Sequence, residues 1–283
     1  MQDGWTMYKT DMYQITASIV IYKPEIKELL ATIKSFLSTE LSARLIIVDN
    51  SPSREAEKEI PQDDRIEYHF MGENVGFGKG HNYAIQLIKE QTPYHLVLNP
   101  DVEFSKGVLE TLIDFLGQEP KAGVVSPTVY EPNEEGERAD SCRELPSPFT
   151  LINRRLRHSS AKDLYLKKTS DKPFSSPWIS GCFMLFRTEA IEEVGLFDDR
   201  YFMYFEDVDL SRRIHNKGWK VMCMPTVSIC HVAHRESSHS TGLLKIHLAS
   251  AIKYFNKWGW FFDKERDAIN KECAQKFISL SAK

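Results

Sequence analysis

The chain has 283 residues, of which 42% are apolar and 27% charged, and its formal net charge is −4 at pH 7. This length can bury a large core in one domain or two, and the composition excludes a largely disordered chain. The small negative charge gives no indication of nucleic-acid binding.

Cysteine usage and apolar runs predict the compartment. The five cysteines are odd in number, scattered and free of CxxC pairs. This pattern predicts reduced thiols in a cytoplasm, without a disulfide framework or a cysteine zinc site. The first residues lack an apolar core of signal-peptide length, and no apolar run reaches the roughly eighteen residues that span a bilayer. We therefore expect a cytoplasmic protein that is at most attached to the membrane surface.

Strands and helices are predicted to alternate through the first 130 residues. Buried strands are predicted at 15–22, 44–50, 65–70, 94–102 and 122–130, and amphipathic helices at 24–37, 79–89 and 105–117. This alternation is typical of an α/β fold with a mostly parallel sheet covered by helices on both faces. Ligands of such sheets bind beyond the carboxyl ends of the strands, where this chain places Asp49, Asn50, Asn99 and Asp101.

The region from 131 to 175 interrupts the alternation. Residues 131–144 are acidic and rich in turn formers, whereas residues 151–172 carry seven Lys or Arg against two acids. An excursion of this length is either a mobile functional lid or a disordered segment, and both interpretations are open.

The rest of the chain is predicted to return to the sheet and to end in helices. We expect a strand at 178–187, a short helix, a helix that starts near 206, a strand at 218–225, a loop at 227–241 and helices thereafter. From Thr241 to Lys283 there are eight Lys or Arg and four acids. The predicted organisation is one catalytic domain at 1–240 with a C-terminal helical extension at 241–283.

Three motifs at strand ends each have an ordinary and a functional interpretation. Asp49 in "IIVDNSP" is a turn residue or a ligand contact. "GENVGFGKGHN" at 72–82 is a glycine-rich turn, or a loop whose backbone approaches a phosphate before a helix N-terminus. It matches neither a Walker loop nor a dinucleotide fingerprint. "NPD", with Asn99 and Asp101, is a turn, or a carboxylate site for a hard divalent cation completed by diphosphate oxygens.

Two later segments also carry candidate side chains. "YFMYFEDVDLSRR" at 201–213 places three carboxylates behind a group of aromatics. A helix start explains Asp209, which can pair with Arg213, and Glu206, but it leaves Asp207 without a role. The histidines of "CHVAHRESSHST" form either a metal site or an exposed histidine-rich loop, and they include His231 and His234.

In this order the motifs resemble the family 2 glycosyltransferases with the GT-A fold, and among them the bacterial rhamnosyltransferase-like branch of O-antigen and polysaccharide biosynthesis. The resemblance covers about 15–240 and is most specific in "WISGCFMLFR" and "GLFDDRYFMYFEDVDLSRRIHNKGWKV". It implies an inverting, metal-dependent glycosyltransferase.

The resemblance also implies roles for individual residues. Asp207 would be the catalytic base, and Asp101 and His231 would bind Mg²⁺ or Mn²⁺. The residues implied on the nucleotide-sugar side are Tyr22, Asp49, Asn74, Gly76, Gly80, Asn82 and Asn99. Those implied on the acceptor side are Trp178, Ser180, Gly181, Glu206 and Arg212. The chain departs from the family's usual DxD at its first position, which is Asn99.

The implied donor is a nucleotide diphosphate sugar, with dTDP-L-rhamnose first and UDP- or GDP-sugars as alternatives. The implied acceptor is a glycan on a polyprenyl diphosphate, and the basic excursion and basic, Trp-containing tail fit peripheral contact with the inner face of the cytoplasmic membrane. A non-catalytic nucleotide-sugar-binding subunit is the alternative function. A nucleotidyltransferase is disfavoured because no GxGxRL-like loop follows the first strand.

Overall fold

The computed structural model describes residues 13–88, 91–132, 139, 141–157, 170–232 and 241–281. Several sequence predictions lie outside these residues: the helix end at Lys89, His234 and His239, and parts of the acidic and basic stretches between 131 and 172.

The described chain alternates strands and helices through its first half, as predicted. In chain order its elements are β1 (Ile15–Ile21), α1 (Ile26–Leu37), β2 (Ala43–Asp49), a 3₁₀ turn (Ala56–Glu59), β3 (Ile66–Phe70), α2 (Phe77–Ile88), β4 (Tyr94–Leu98), β5 (Val102–Phe104), α3 (Val108–Gln118), β6 (Ala122–Tyr130), β7 (Cys142–Arg143), α4 (Pro148–Arg157), β8 (Phe174–Ser175), β9 (Trp178–Ile179), β10 (Phe183–Arg187), α5 (Thr188–Val194), α6 (Glu206–Asn216), β11 (Lys220–His231), α7 (Thr241–Trp258) and α8 (Lys264–Ser281).

The central sheet has the strand order β3-β2-β1-β4-β10-β6-β11-β5, with β8 paired to β11. Strands β3, β2, β1 and β4 are parallel neighbours, and β6 and β11 are parallel to each other. Strand β10 is antiparallel to both β4 and β6, so β6 and β11 run in the same direction as β1. Six strands thus share one direction, which confirms the predicted α/β class with a mostly parallel sheet.

Helices cover both faces of this sheet because the inner strands are apolar on both sides. Ile19 of β1 packs in one cluster with Leu29 of α1 and Leu112 of α3. Val48 of β2 packs on the opposite face with Ala84 of α2. Successive side chains of a strand point to opposite faces, so an uninterrupted apolar run supplies both cores.

The C-terminal helices predicted from sequence are present as α7 and α8, and both reach cores of the preceding chain. Tyr254 of α7 packs with Tyr201 and Phe205. Phe277 of α8 stacks on Phe174, with ring centroids 4.5 Å apart. The boundary at residue 240 stays a prediction. None of the helices in the described ranges combines the length and the apolar character needed to span a membrane.

The prediction of a single strand at 178–187 is wrong, because this segment forms two strands, β9 and β10. Strand β9 pairs with β7 in a separate two-stranded sheet, and only β10 joins the central sheet. The break falls at Ser180 and Gly181, whose N–H groups leave the ladder and donate instead to the carbonyl of Ser141 and to the carboxylate of Asp207, both at 2.9 Å.

The loop predicted to begin at residue 227 is also wrong, because β11 continues to His231. The pairing with β6 shifts register between Met224 and Ser228 and then resumes through Cys230. Pro225 cannot donate to a ladder, and an irregularity at that point lets the strand continue beyond it.

The prediction that all five cysteines are free thiols is wrong as well. Cys142 of β7 and Cys223 of β11 form a disulfide across 81 residues of sequence. The remaining three, Cys182, Cys230 and Cys273, are free. The disulfide ties the small β7–β9 sheet to the central sheet.

Candidate active site

The site lies at the edge of the sheet where the parallel strands end. Strand β10 runs in the opposite direction, so its first residues meet the residues that follow β4, with Phe183 opposite Leu98. The carbonyl of Cys182 accepts the N–H of Asn99 at 2.9 Å. Strand β11 ends at this same edge with His231, because it runs parallel to β6.

Asp207, in the first turn of α6, is held against the start of β10. Its Oδ2 accepts the N–H of Gly181 at 2.9 Å, and its Oδ1 accepts the N–H of Val208 at 2.8 Å. Burial raises the pKa of Asp207 above the ordinary aspartate value and outweighs these two hydrogen bonds, which lower it. A carboxylate with a raised pKa is a stronger base, so Asp207 has the chemistry expected of a proton acceptor.

The backbone before Asp207 is strained. Tyr204 and Phe205 adopt φ values of 69° and 70°, in the left-handed region that non-glycine residues rarely occupy. Such conformations cost roughly 1–3 kcal/mol each and occur mainly where function or packing enforces them. The ring of Phe205 packs against those of His247 and Tyr254, at 5.3 and 5.4 Å. Helix α7 therefore holds the conformation that presents Asp207.

The two neighbouring acids have different surroundings. Asp209 is fully buried and accepts hydrogen bonds from Arg213 at 2.9 Å and Trp258 at 2.7 Å, which confirms the predicted pairing with Arg213. Glu206 is buried, and its Oε2 has no hydrogen-bond partner. Burial and the charge of Asp207 raise the pKa of Glu206 well above its ordinary value. Glu206 thus favours the protonated form beside the base.

A second cluster consists of Asp101, Asn99 and His231. It is connected to Asp207 through backbone hydrogen bonds of Cys182 and Gly181. Nε2 of His231 lies 3.3 Å from Nδ2 of Asn99 and 3.3 Å from Oδ1 of Asp101. Burial lowers the pKa of His231, but its contacts with Asp101 and Cys182 outweigh burial and raise it to about 10.

This cluster fits a divalent cation only in part. Oδ1 of Asp101 is buried and faces Nε2 of His231 at 3.3 Å, so a cation bound to this oxygen would replace that ion-pair contact. Among the described residues no three His, Cys, Asp or Glu side chains stand close enough to hold a metal ion. A hard cation at Asp101 therefore needs further oxygen ligands from a bound diphosphate and water.

The residues predicted at the nucleotide base lie at the ends of β1 and β2. Tyr22 is half exposed, with Lys23 beside it at a φ of 47°. Asp49 is fully buried and accepts hydrogen bonds from Tyr68 at 2.6 Å and from the N–H of Ser51 at 2.7 Å. Contact between a base and Asp49 therefore requires a movement of these neighbours, whereas Tyr22 is open to a ligand.

The glycine-rich loop is held by the protein itself. The side chain of Asn74 accepts the N–H of Gly76 at 3.1 Å, and Asn50 donates to the carbonyl of Gly76 at 3.2 Å. Gly76 has a φ of 92°, and a Cβ there would lie 2.4 Å from the carbonyl oxygen of Phe202. The loop is thus fixed to the segment that leads to Asp207, a contact that the sequence did not reveal.

Gly80 and Asn82 face protein in this structure, and their predicted contact with the nucleotide sugar stays a prediction. A Cβ on Gly80 would lie 2.7 Å from the side chain of Val20, so this glycine lets α2 approach β1. The amide of Asn82 donates to the carbonyl of Phe197 and to Asp199, both at 2.8 Å, and accepts the N–H of Phe197 at 2.9 Å. Both residues position α2 and present no open surface to a nucleotide sugar.

The predicted acceptor-side residues divide into two groups. Gly181 contacts Asp207 directly, and Ser180 adjoins it. Trp178 is buried, with its ring N–H donating to the carbonyl of Glu144 at 2.9 Å. Arg212 is only 1% exposed and is paired with Asp263 at 2.5 Å, so in this structure it joins α6 to the C-terminal helices, and its contact with an acceptor stays a prediction.

With this geometry in view, comparison with known proteins decides the family. The sequence profile described as glycosyl transferase family 2 matches residues 18–195, more than half of the chain. The chain belongs to glycosyl transferase family 2. It is therefore a glycosyltransferase, and the predicted resemblance is confirmed. The matched range ends before Asp207 and His231, so their assignment depends on the geometry above.

Curated relatives of this family 2 enzyme are named as rhamnosyltransferases. The N-acetylglucosaminyl-diphospho-decaprenol L-rhamnosyltransferase of Mycobacterium tuberculosis is 28% identical over 260 residues, covering 82% of this chain and 78% of that protein. The rhamnosyltransferase WbbL of Escherichia coli K12 is 29% identical over 236 residues, covering 80% and 87%.

A solved structure confirms the fold. GalNAc-T7 with UDP, GalNAc and Mn²⁺ superposes with a TM-score of 0.66 at 16% identity, covering 93% of this chain. The chain spans 50% of that protein's length. At this identity the likeness shows the GT-A architecture alone.

Proposed function

We propose that this enzyme transfers a sugar, L-rhamnose, from a nucleotide diphosphate sugar to a hydroxyl of a lipid-linked glycan, with inversion at the anomeric carbon. The names of its relatives support rhamnose and a polyprenyl-diphosphate-linked acceptor. The resemblance in sequence favours dTDP-L-rhamnose over a UDP- or GDP-sugar. The product would serve the synthesis of a bacterial surface polysaccharide.

One observation carries the proposal: two backbone hydrogen bonds connect the base candidate Asp207 to Asn99 of the second cluster. Asp207 accepts the N–H of Gly181, and the next residue, Cys182, accepts the N–H of Asn99. Asn99 in turn contacts His231. This arrangement supports a single cleft, with Asp207 on one side as the proton acceptor and the second cluster, which includes Asp101 and His231, on the other.

The proposed reaction is a single displacement. The acceptor hydroxyl gives its proton to a carboxylate oxygen of Asp207 as the hydroxyl oxygen forms a bond to the anomeric carbon. The bond from that carbon to the diphosphate oxygen breaks, and its electron pair leaves with the nucleoside diphosphate. Attack from the face opposite the leaving group inverts the anomeric configuration. Burial raises the pKa of Asp207, which makes its carboxylate a stronger base than an ordinary aspartate.

Mg²⁺ or Mn²⁺ is the proposed cofactor, held by Asp101 with His231 and Asn99 beside it. A bound divalent ion supplies positive charge that stabilises the departing diphosphate. Oδ1 of Asp101, a buried carboxylate oxygen whose contact with Nε2 of His231 is as long as 3.3 Å, supports this assignment. The positive charge that His231 carries beside it would favour an anionic diphosphate at the same place.

The decisive test is Asp207→Asn. We expect the variant to fold and to bind donor, as judged by thermal shift with the nucleoside diphosphate, and to lose transfer at least 10²-fold. Glu192→Gln, an exposed carboxylate change on α5, is the matched control and should retain the full rate. Near-normal turnover by Asp207→Asn would remove this residue from the role.

The donor is identified by thermal-shift screening and by release of nucleoside diphosphate. dTDP-L-rhamnose with Mn²⁺ should stabilise the protein more than UDP- or GDP-sugars do. Binding without metal-dependent release in the presence of any acceptor would instead support the alternative function, a non-catalytic nucleotide-sugar-binding subunit.

A further inference from the structure

An unusual group of apolar side chains lies in solvent on the C-terminal helices and on α4. Phe262 is 99% exposed, Phe261 57% and Phe149 64%, and the rings of Phe149 and Phe261 lie 5.8 Å apart. We call this group the aromatic face. It consists of Phe149 and Ile152 on α4, Leu248 and Ile252 on α7, and Trp260, Phe261 and Phe262 in the turn between α7 and α8.

Helix α7, which carries part of the aromatic face, has apolar side chains on two of its sides. Leu248 and Ile252 are one helical turn apart on α7 and point to solvent, whereas Tyr254 and Phe255 of the same helix are buried. Side chains at positions i and i+4 share a helix face. Helix α7 thus has a second apolar stripe that the described protein leaves uncovered, and the aromatic turn follows this helix directly in sequence.

The two helices that carry part of this face are basic in sequence. The sequences of α4 and α7 contain six Lys or Arg and no acid. Lys245 and Lys253 of α7 are exposed, whereas Lys257 is bound to Asp198 and Asp209.

The acids that follow the aromatic turn are already paired. Asp263 and Glu265 lie 2.5 and 3.4 Å from Arg212, and Asp267 lies 2.8 Å from Arg266. In the described structure Lys245 and Lys253 form no ion pair, and Nζ of Lys253 donates to the carbonyl of Arg200 at 2.6 Å, whereas each of these three acids has a cationic partner.

Exposed aromatic rings next to cations are the composition that binds anionic membrane surfaces. We propose that the aromatic face docks this enzyme on an anionic lipid bilayer, with the rings of the turn in the headgroup region and the lysines against the anionic headgroups. This rests in part on the proposed function, since a lipid-linked acceptor gives the enzyme a reason to bind a bilayer.

Docking at this face would bring the catalytic base to the acceptor. The face of α7 opposite Ile252 contacts the strained segment directly: Ser250 donates to the carbonyl of Met203 at 2.8 Å, and Tyr254 stacks on Phe205 at 5.4 Å. One helix therefore touches the bilayer on one side and the segment that presents Asp207 on the other. A glycan that projects from the membrane surface would meet Asp207 at its lipid-proximal edge.

The test uses the full chain and sedimentation with vesicles of phosphatidylcholine, alone or with phosphatidylglycerol. We expect binding to the anionic vesicles that weakens with salt, and at least tenfold weaker binding for the double variant Phe261→Ser, Phe262→Ser. Ile278→Ser is the matched control, because Ile278 is also exposed but lies near the far end of α8, about 21 Å along the helix axis from Lys264 at about 1.5 Å per residue. This control should bind as the unmodified enzyme does.

Release of nucleoside diphosphate with a water-soluble acceptor separates this proposal from the proposed function. The Phe261→Ser, Phe262→Ser variant should retain that activity while losing vesicle binding and transfer to a vesicle-embedded acceptor. The proposal is overturned if the unmodified enzyme stays unbound to anionic vesicles, or if the double variant binds as well as the control. It is also overturned if the serines convert a dimer into a monomer without affecting vesicle binding, since the face would then join two copies of the chain.

Discussion

Removal of the Arg212 guanidinium tests whether this residue acts in folding or on the acceptor. Arg212 donates to both carboxylate oxygens of Asp263, at 2.5 and 2.7 Å, and lies over the ring of Trp258 at 4.3 Å. Asp263 also accepts the N–H of Arg266 at 3.0 Å in the first turn of α8. The pair therefore joins α6 to the start of the last helix.

Arg212→Met leaves the buried carboxylate of Asp263 without its main partner. Loss of one member of a buried ion pair costs about 3–5 kcal/mol of unfolding free energy. In a chain of this size each kcal/mol lowers the melting temperature by about 2–4 °C, so a fall of about 10 °C is expected. The double variant Arg212→Met, Asp263→Leu should recover a large part of this loss, because it leaves no isolated charge.

Urea unfolding and donor turnover should be measured on the same preparations. Arg200→Met is the control, because Arg200 pairs with Asp198 at the surface and such pairs contribute about 1 kcal/mol or less. If Arg212→Met unfolds like the unmodified enzyme but has a greatly raised KM for the acceptor, the structural role is refuted. The role implied by the sequence resemblance would then stand.

Three further predictions concern the stability of the fold and its disulfide bond. Gly76→Ala should lower the unfolding free energy by about 2 kcal/mol or more, because the φ of Gly76 is 92° and a Cβ there would clash with a backbone carbonyl. The control is Gly117→Ala in α3, where an added Cβ meets no atom, and this variant should be as stable as the unmodified enzyme or more stable. Equal urea midpoints for the two variants would contradict this. Burial lowers the pKa of His95 from 6.5 to about 3. As the pH falls below 6.5, the His95 imidazole is therefore protonated in the unfolded chain but stays neutral in the folded chain. His95 alone should contribute a loss of about 2 kcal/mol of stability at about pH 5, to which His81 adds because burial also lowers its pKa, and a His95→Gln variant that loses as much as the unmodified enzyme would exclude His95 as a cause. Alkylation under denaturing conditions should label three cysteines without reductant and five with it, and labelling of all five without reductant would disprove the bond between Cys142 and Cys223.

The parts of the fold that could be predicted are those specified by local apolar patterns. Strands β1, β2 and β6 are buried on both faces, and their continuous apolar runs gave bounds within one residue of those observed. The break at Ser180 and Gly181 could not be predicted, because their N–H partners, Ser141 and Asp207, lie far away in sequence. The disulfide escaped prediction for the same reason.

Residues of the candidate site could be predicted from sequence where a polar side chain lies at the end of the sheet. Prediction is less reliable where a polar side chain forms its hydrogen bonds with other parts of the protein. Asp101 and Asp207 lie at the predicted edge, joined through Cys182. Asn82 and Arg212 have the residue types of ligand contacts, yet each makes hydrogen bonds to groups inside the protein. A motif gives the type of a side chain but not the partner that satisfies it.

The left-handed pair Tyr204 and Phe205 limits how enzymes of this architecture can be recombined. Since rings of α7 hold this pair in place, an exchange of the C-terminal helices between relatives would also replace the support of Asp207. Chimeras designed to change the acceptor should therefore transplant residues 201–205 together with α7, so that the packing partners stay matched.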